Sequence, residues 1–395
     1  MIRDRAEFDQ SKMTPLYNFD EIIDRSATAS NKWDKYQGRD ILPMWVADTD
    51  FRAAPAITEA IKQRADHAVF GYTHVSERQL ELVVERMQRL YQWAIKPEWI
   101  LFYPGVVSAL HLASRSFGCP GDEIYTPEVV YQHIPEIADF NGRVLRRIPM
   151  LEAEQRIIMD ADWLAGQSIK PRQIMVLCNP QNPGGSVYNE AELQRVAEVA
   201  EAQDLIVCSD DIHCDLILDE DKRHIPIASL NDDIARRSIT LMGPSKSFNL
   251  AGLGCSFAIV PDASIRKQLV NAAKGTMPWV NIMGYTALQA AYESGGEWLT
   301  QQLRYLAGNR DILSEKINQI PGMALGPTEA TYLAWIDVSE LELDDPLGFF
   351  ENAGVGMSGG AQFGDNRFMR LNFGCPRSRV EAAIERLGNA AQQAG

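Results

Sequence analysis

The chain has little that would suit it to a membrane, a nucleic acid or an oxidising compartment. Only six cysteines are spread over 395 residues, with no CxxC pair among them. Most lie in apolar stretches, so they read as buried thiols in a reducing compartment, not as a disulfide framework or a zinc site. The six histidines include neither HxxxH nor HExxH, so no metal site is expected. No apolar run approaches the roughly 18 residues that a membrane span needs. Basic residues are outnumbered, 38 Lys+Arg against 53 Asp+Glu, for a net charge of −15. That balance argues against nonspecific affinity for phosphate backbones or anionic lipid. The opening MIRDRAEFDQ is charged and has no apolar stretch, so no signal peptide is expected. Repeats and low-complexity segments are also missing.

What is present suits a soluble globular protein. Hydrophobic residues make up 46% and charged residues 23%, an ordinary globular balance that argues against disorder. At roughly 100–200 residues per domain, two or three domains are expected. The first ~45 residues are polar and irregular. Pro55 then opens a helix through Ile57, Ala60 and Ile61. Ser76 and Gln79 have capping-box spacing before the helical period of Leu80, Val83, Val84, Met87, Leu90 and Tyr91. From about residue 99 strands alternate with helices. Leu101–Tyr103 is followed by Pro104-Gly105 and a helix carrying Leu110, Ala113 and Phe117. Ile174–Cys178, Leu205–Cys208 and Ile239–Met242 are continuous apolar runs, the mark of strands buried on both faces. Asn189 and Glu192 cap the helix between the first two of these runs. The pattern predicts a mostly parallel sheet between helices. In the last ~100 residues, Thr331–Asp337 and Phe368–Phe373 read as half-buried strands. Ser378 and Glu381 have capping-box spacing before a closing helix. This is the pattern of a smaller α+β domain.

In an open parallel sheet, ligands bind beyond the carboxyl ends of the strands, so the residues after each apolar run carry the functional reading. Pro104-Gly105-Val106-Val107 enters a helix, where free N–H groups and the helix dipole offer a phosphate seat. The run Asn179–Gly185 reads as a tight turn that also offers the amide of Asn182. Asp210 follows a buried strand, where an unpaired carboxylate is costly. Lys246 follows another, framed by Met242 and Phe248–Leu250, and apolar surroundings lower a lysine pKa. A phosphate seat, an amide, a carboxylate and an activated amine at one sheet end meet the demands of pyridoxal 5′-phosphate (PLP) chemistry.

The segments Asn182–Gly185, Ser209–His213 and Ser245–Asn249 resemble the three core motifs of fold-type I PLP enzymes, the aspartate aminotransferase superfamily. MWVADTDF (44–51), FGYT (70–73), PGVV (104–107), CNPQNPGG (178–185), SDDIHCDL (209–216), PSKSFNLAGL (244–253), TYLAW (331–335) and RLNFGCPR (370–377) resemble the cystathionine β-lyase-like C–S lyases within it. The likeness runs from about residue 15 to 390. It implies an α/β large PLP-binding domain over about 51–290, a small C-terminal α+β domain over 291–395, and an N-terminal segment, 1–50, packing with the small domain.

By the same resemblance Lys246 forms the Schiff base with the cofactor and later moves protons. Asp210 pairs with the pyridine nitrogen, Asn182 and His213 sit by the ring hydroxyl, and Tyr131 stacks on the ring. Gly105, the Val106 and Val107 amides and Ser245 hold the phosphate. Tyr72 reaches the phosphate of a neighbouring subunit, which implies a homodimer with shared sites. Arg370, with Asn182, binds the substrate α-carboxylate in a bidentate fork. On residue pattern alone, the face carrying Arg370 and Asn372 reads equally as a solvated strand face. The chain departs from the family at three points: Tyr131 lies in a turn about two residues longer than usual, Gly243 stands where Ala or Ser is common, and Asp211 replaces a Glu. The reading is a cytosolic PLP-dependent C–S lyase (EC 4.4.1 type) of sulfur amino acid metabolism that eliminates the sulfur group of L-cystathionine or related cysteine conjugates. The alternatives are a class I/II aminotransferase and, in another class, a PLP-binding regulatory protein. No basic arm for a nucleic acid is present.

Overall fold

The computed structural model describes residues 17–153 and 156–394; the charged start, where no leader is expected, lies outside them. Seven strands form one sheet. They are β1 (Ile100–Tyr103), β2 (Glu123–Pro127), β3 (Val144–Ile148), β4 (Ile174–Cys178), β5 (Ile206–Asp210), β6 (Ser238–Met242) and β7 (Ser256–Ile259). Their spatial order is β1-β7-β6-β5-β4-β2-β3. The sheet is parallel except at β7, which runs against both β1 and β6. Every residue of β4, β5, β6 and β7 is buried. Apolar groups pack on both faces, which is why these strands read as unbroken hydrophobic runs.

The helices follow from local chemistry. Pro55–Asp66 starts on its proline, whose fixed φ suits the first turn. Ser76 and Asn189 each close a full capping box, with Gln79 and Glu192, at the heads of Glu77–Tyr91 and Glu190–Ala202. Each such cap is worth about 1 kcal/mol because it satisfies N–H groups that the helix leaves free.

Beyond the long helix Gly296–Ile317 lies a four-stranded antiparallel sheet, ordered Ala324–Leu325, Leu333–Asp337, Phe368–Asn372, Ser358–Gly359. Two expectations fail here. The strands Leu333–Asp337 and Phe368–Asn372 are buried on both faces rather than half-buried. Arg370 and Asn372 are inside, so the solvated-face alternative is excluded. The closing helix begins at Arg377 and runs to Ala394. Ser378 therefore lies within its first turn and does not cap it. The Arg377 N–H instead donates to the Tyr305 hydroxyl at 2.6 Å, and Pro376 sets the entry without needing a side-chain cap. All six cysteines are free. Five are buried, but Cys119 is exposed in the Gly118–Gly121 turn. Among the described residues no helix is long and apolar enough to cross a membrane.

Candidate active site

The carboxyl ends of the parallel strands converge on a cavity of about 190 Å³. β1 delivers Gly105, Val106 and Val107, and β2 delivers Tyr131. β4 delivers Asn182, β5 delivers Asp210 and His213, and β6 delivers Ser245 and Lys246; all of these line the cavity. β7 runs the other way, so its first residue, Ser256, arrives at the same place with Gly254 and Cys255. A larger cavity of about 390 Å³ lies between the hairpin at 150–159 and the small sheet. Its lining, which includes Glu152, Trp335, Asp337 and Phe368, carries no amine, thiol or hydroxyl side chain. Chemistry rather than size selects the smaller one.

Each cavity side chain is held by its surroundings. The Lys246 amine donates to the Ala47 carbonyl at 2.8 Å. Burial lowers that amine to about 8, helped by Arg370 and opposed by Asp48 and Asp210. A neutral fraction far larger than that of an ordinary lysine is therefore available near neutrality, as a nucleophile or base requires. Burial pushes the Asp210 carboxyl up to about 7, against the Ile212 N–H that donates to it at 3.2 Å. Burial also holds His213 well below its ordinary value, so its ring is neutral. Next to Asp210, Asp211 accepts from His224 at 2.8 Å and from Ser209. Beneath the lysine turn, Asp215 accepts from Ser247 at 2.8 Å and pairs with buried Arg86 at 2.7 Å.

Arg370 sits beside the cavity. Its Nη1 donates to Asn182 Oδ1 at 3.0 Å and its Nη2 to the Trp45 carbonyl at 2.9 Å. Its guanidinium lies 4.4 Å from the Phe363 ring centre. Among the described residues no carboxylate pairs with it, and its Nε is buried without a partner. A buried cation left so is costly unless an anion arrives. Tyr72 is not brought to the cavity of its own chain. It stands 98% exposed, edge-on to Trp279 with ring centres 5.8 Å apart.

Two glycines shape the walls. A Cβ on Gly243 would lie 3.0 Å from Ser256 Cα and 3.1 Å from the Cys255 carbonyl, so the packing of β7 explains the departure from Ala or Ser. Gly185 has φ +76° and an added Cβ would meet the Ala330 carbonyl at 3.1 Å, so the Asn182–Gly185 turn closes tightly on the segment 328–330.

The residues fit PLP. Asp210 is a buried carboxylate in need of a cationic donor such as a protonated pyridine nitrogen, and His213 Nδ1 is buried without a hydrogen-bond partner. The helix Val106–Ser116 meets the cavity at Gly105 with no side-chain cap, which suits a phosphate. Fold and site together define a PLP-dependent enzyme of fold type I. The "Aminotransferase class I and II" family model matches residues 40–387, and the chain belongs to that family. It is 36% identical to cystathionine β-lyase PatB of Bacillus subtilis (strain 168), over 94% of this chain and 98% of that protein. The crystal structure of OvoB is 44% identical, with a TM-score of 0.91 over 95% of this chain and 99% of its own. The PLP-bound C–S lyase of Staphylococcus hominis, complexed with L-cycloserine, is 30% identical, with a TM-score of 0.87 over 95% of this chain and 99% of its own.

Proposed function

We propose that this protein is a carbon–sulfur β-lyase that converts L-cystathionine, or a related cysteine S-conjugate, to pyruvate, ammonia and a thiol. The observation that carries this is the pairing, at one cavity, of an amine of lowered pKa (Lys246) with a buried guanidinium lacking an anion (Arg370). The guanidinium matches the carboxylate of an α-amino acid, and the amine is of the kind that can serve as a base at its Cα. The likeness to cystathionine β-lyase PatB along nearly the whole chain supports elimination over transamination. When bound, PLP supplies a ring that accepts the electrons released at the substrate Cα.

The chain's residues divide the remaining work. Lys246 would hold the cofactor through Nζ and, once freed from it, would take the proton from the substrate Cα. Asp210 would pair with the pyridine nitrogen, and Asn182 and His213 would lie by the ring hydroxyl. Tyr131 would pack against the ring. Gly105, Val106, Val107 and Ser245 would seat the phosphate. Arg370, steadied by its bond to Asn182, would grip the α-carboxylate and so orient the Cα–H bond. The test is incubation with L-cystathionine and no 2-oxo acid. Catalytic release of pyruvate and free thiol is expected. Turnover that requires a 2-oxo acid and frees no thiol would make the protein an aminotransferase instead.

We further propose that the active enzyme is a cytoplasmic homodimer, with a large domain ending near residue 290. The exposed group Val69, Phe70, Tyr72 and Trp279 supports a second copy there, because large apolar side chains clustered in water mark interfaces. Mixing inactive Lys246→Ala protein with inactive Tyr72→Ala protein is expected to restore activity. In the hybrid one site carries both lesions and the other carries none. Hybrids that form and stay dead would place Tyr72 within its own site.

A further inference from the structure

The TYLAW segment contributes no residue to the cavity lining, yet Tyr332 within it reaches the same atom as the catalytic amine. Its hydroxyl donates to the Ala47 carbonyl at 3.0 Å, and Lys246 Nζ donates to that carbonyl at 2.8 Å. The Tyr332 side chain is wholly buried, its ring edge-on to His213 with centres 6.1 Å apart. Ala47 belongs to a strap, 45–51, stretched between the two sheets. The Trp45 carbonyl accepts from Arg370 at 2.9 Å and the Thr49 carbonyl from Asn249 at 2.9 Å. One backbone segment thus supplies acceptors to the amine on one side and the guanidinium on the other.

We infer that Tyr332 is a positioning residue whose hydroxyl fixes the Ala47 carbonyl as the acceptor that aims the Lys246 amine whenever that amine is not joined to the cofactor. A carbonyl oxygen has two lone pairs, so one acceptor serves both donors. Lysine is a flexible four-carbon stem. A preset acceptor spares part of the rotamer entropy lost in ordering it. The groups that face the amine are Arg370, Asp48 and Asp210, with His213 across the cavity. Burial first and Arg370 second drive the proton off the amine, and Asp48 and Asp210 hold the proton on.

Tyr332→Phe keeps the ring and removes one oxygen. With L-cystathionine, kcat is expected to fall about three- to tenfold, the worth of one neutral hydrogen bond, with KM changing less than about twofold. A second readout needs no turnover. Apoenzyme is mixed with PLP across a pH series and the attached cofactor is trapped with borohydride. In the native protein the attachment rate is expected to rise with pH as the amine loses its proton, with a midpoint of about 8. In Tyr332→Phe the midpoint is expected to move to lower pH, because an Ala47 carbonyl no longer fixed by the tyrosine hydroxyl holds the protonated amine less well. A thermal melt within a few degrees of the native protein shows that the fold is kept. An unmoved or raised midpoint, or an unchanged kcat, overturns the inference. It rests on Lys246 as the cofactor lysine, which the trapped peptide of the native protein reports separately. Label at another lysine overturns both readings, whereas label at Lys246 with an unmoved midpoint overturns only the role of Tyr332.

Discussion

Lys246→Ala is expected to remove turnover of L-cystathionine altogether and to leave protein in which borohydride fixes no PLP. Two contributions are lost together. The first is the amine that joins the cofactor. The second is the base that takes the Cα proton, a role that alone carries about 10²- to 10⁴-fold in rate. Burial, which lowers the amine to about 8, makes it competent for both near neutral pH. Lys246→Arg is expected to be equally inactive, because a guanidinium stays protonated and cannot act as nucleophile or base. Pyruvate release and peptide mapping after borohydride measure the two roles. Activity of Lys246→Ala within tenfold of the native protein, or label on a different lysine, would move the chemistry elsewhere.

The cavity was legible in the sequence where strand direction and side-chain chemistry agreed. Asn182, Asp210 and Lys246 each follow a run of residues buried on both faces, and parallel strands bring their carboxyl ends to one edge. Gly254, Cys255 and Ser256 were missed because β7 is antiparallel. It brings its beginning, not its end, to the cavity, and no periodicity in four apolar residues announces direction. Ala47 was missed for another reason. The segment around it stands out as a motif, but its contribution is a backbone carbonyl, and any residue type supplies one. Arg370 was read from alternation, which correctly placed it opposite Met369 and Leu371. Alternation could not say that the second face is covered too, since that cover comes from the strap at 45–51 and the turn at Asn182, both far away in sequence. Ser378 carried capping-box spacing, which would start the helix at Arg379, yet the helix starts two residues earlier, at Arg377, whose N–H Tyr305 satisfies. Tyr72 remains apart from the cavity within one chain, which no reading of a single strand or helix could have decided.

Arg370→Ala is expected to lower kcat/KM for L-cystathionine by about 2–5 kcal/mol, the range for truncating one partner of a buried charge pair. That corresponds to roughly thirtyfold to several thousandfold at about 1.4 kcal/mol per tenfold. The estimate follows from what surrounds the guanidinium. Burial lowers its pKa to about 10, still far above neutrality, so it stays charged. Its neighbours, the Asn182 amide oxygen, the Trp45 carbonyl and the Phe363 ring, offer dipoles and a π face but no charge. A substrate carboxylate supplies the missing anion and can take two parallel N–H···O bonds from the planar fork. Arg370→Lys is expected to recover only part of the loss, because an ammonium presents a point charge and cannot match that fork. Ethylamine, which carries the amino group but no carboxylate, separates a clamp from a scaffold. Its binding, followed by cofactor absorbance, is expected to be equally weak in the native and Arg370→Ala proteins. If Arg370→Ala weakens ethylamine as much as it weakens cystathionine, the arginine holds the cavity walls in place and the carboxylate is gripped elsewhere.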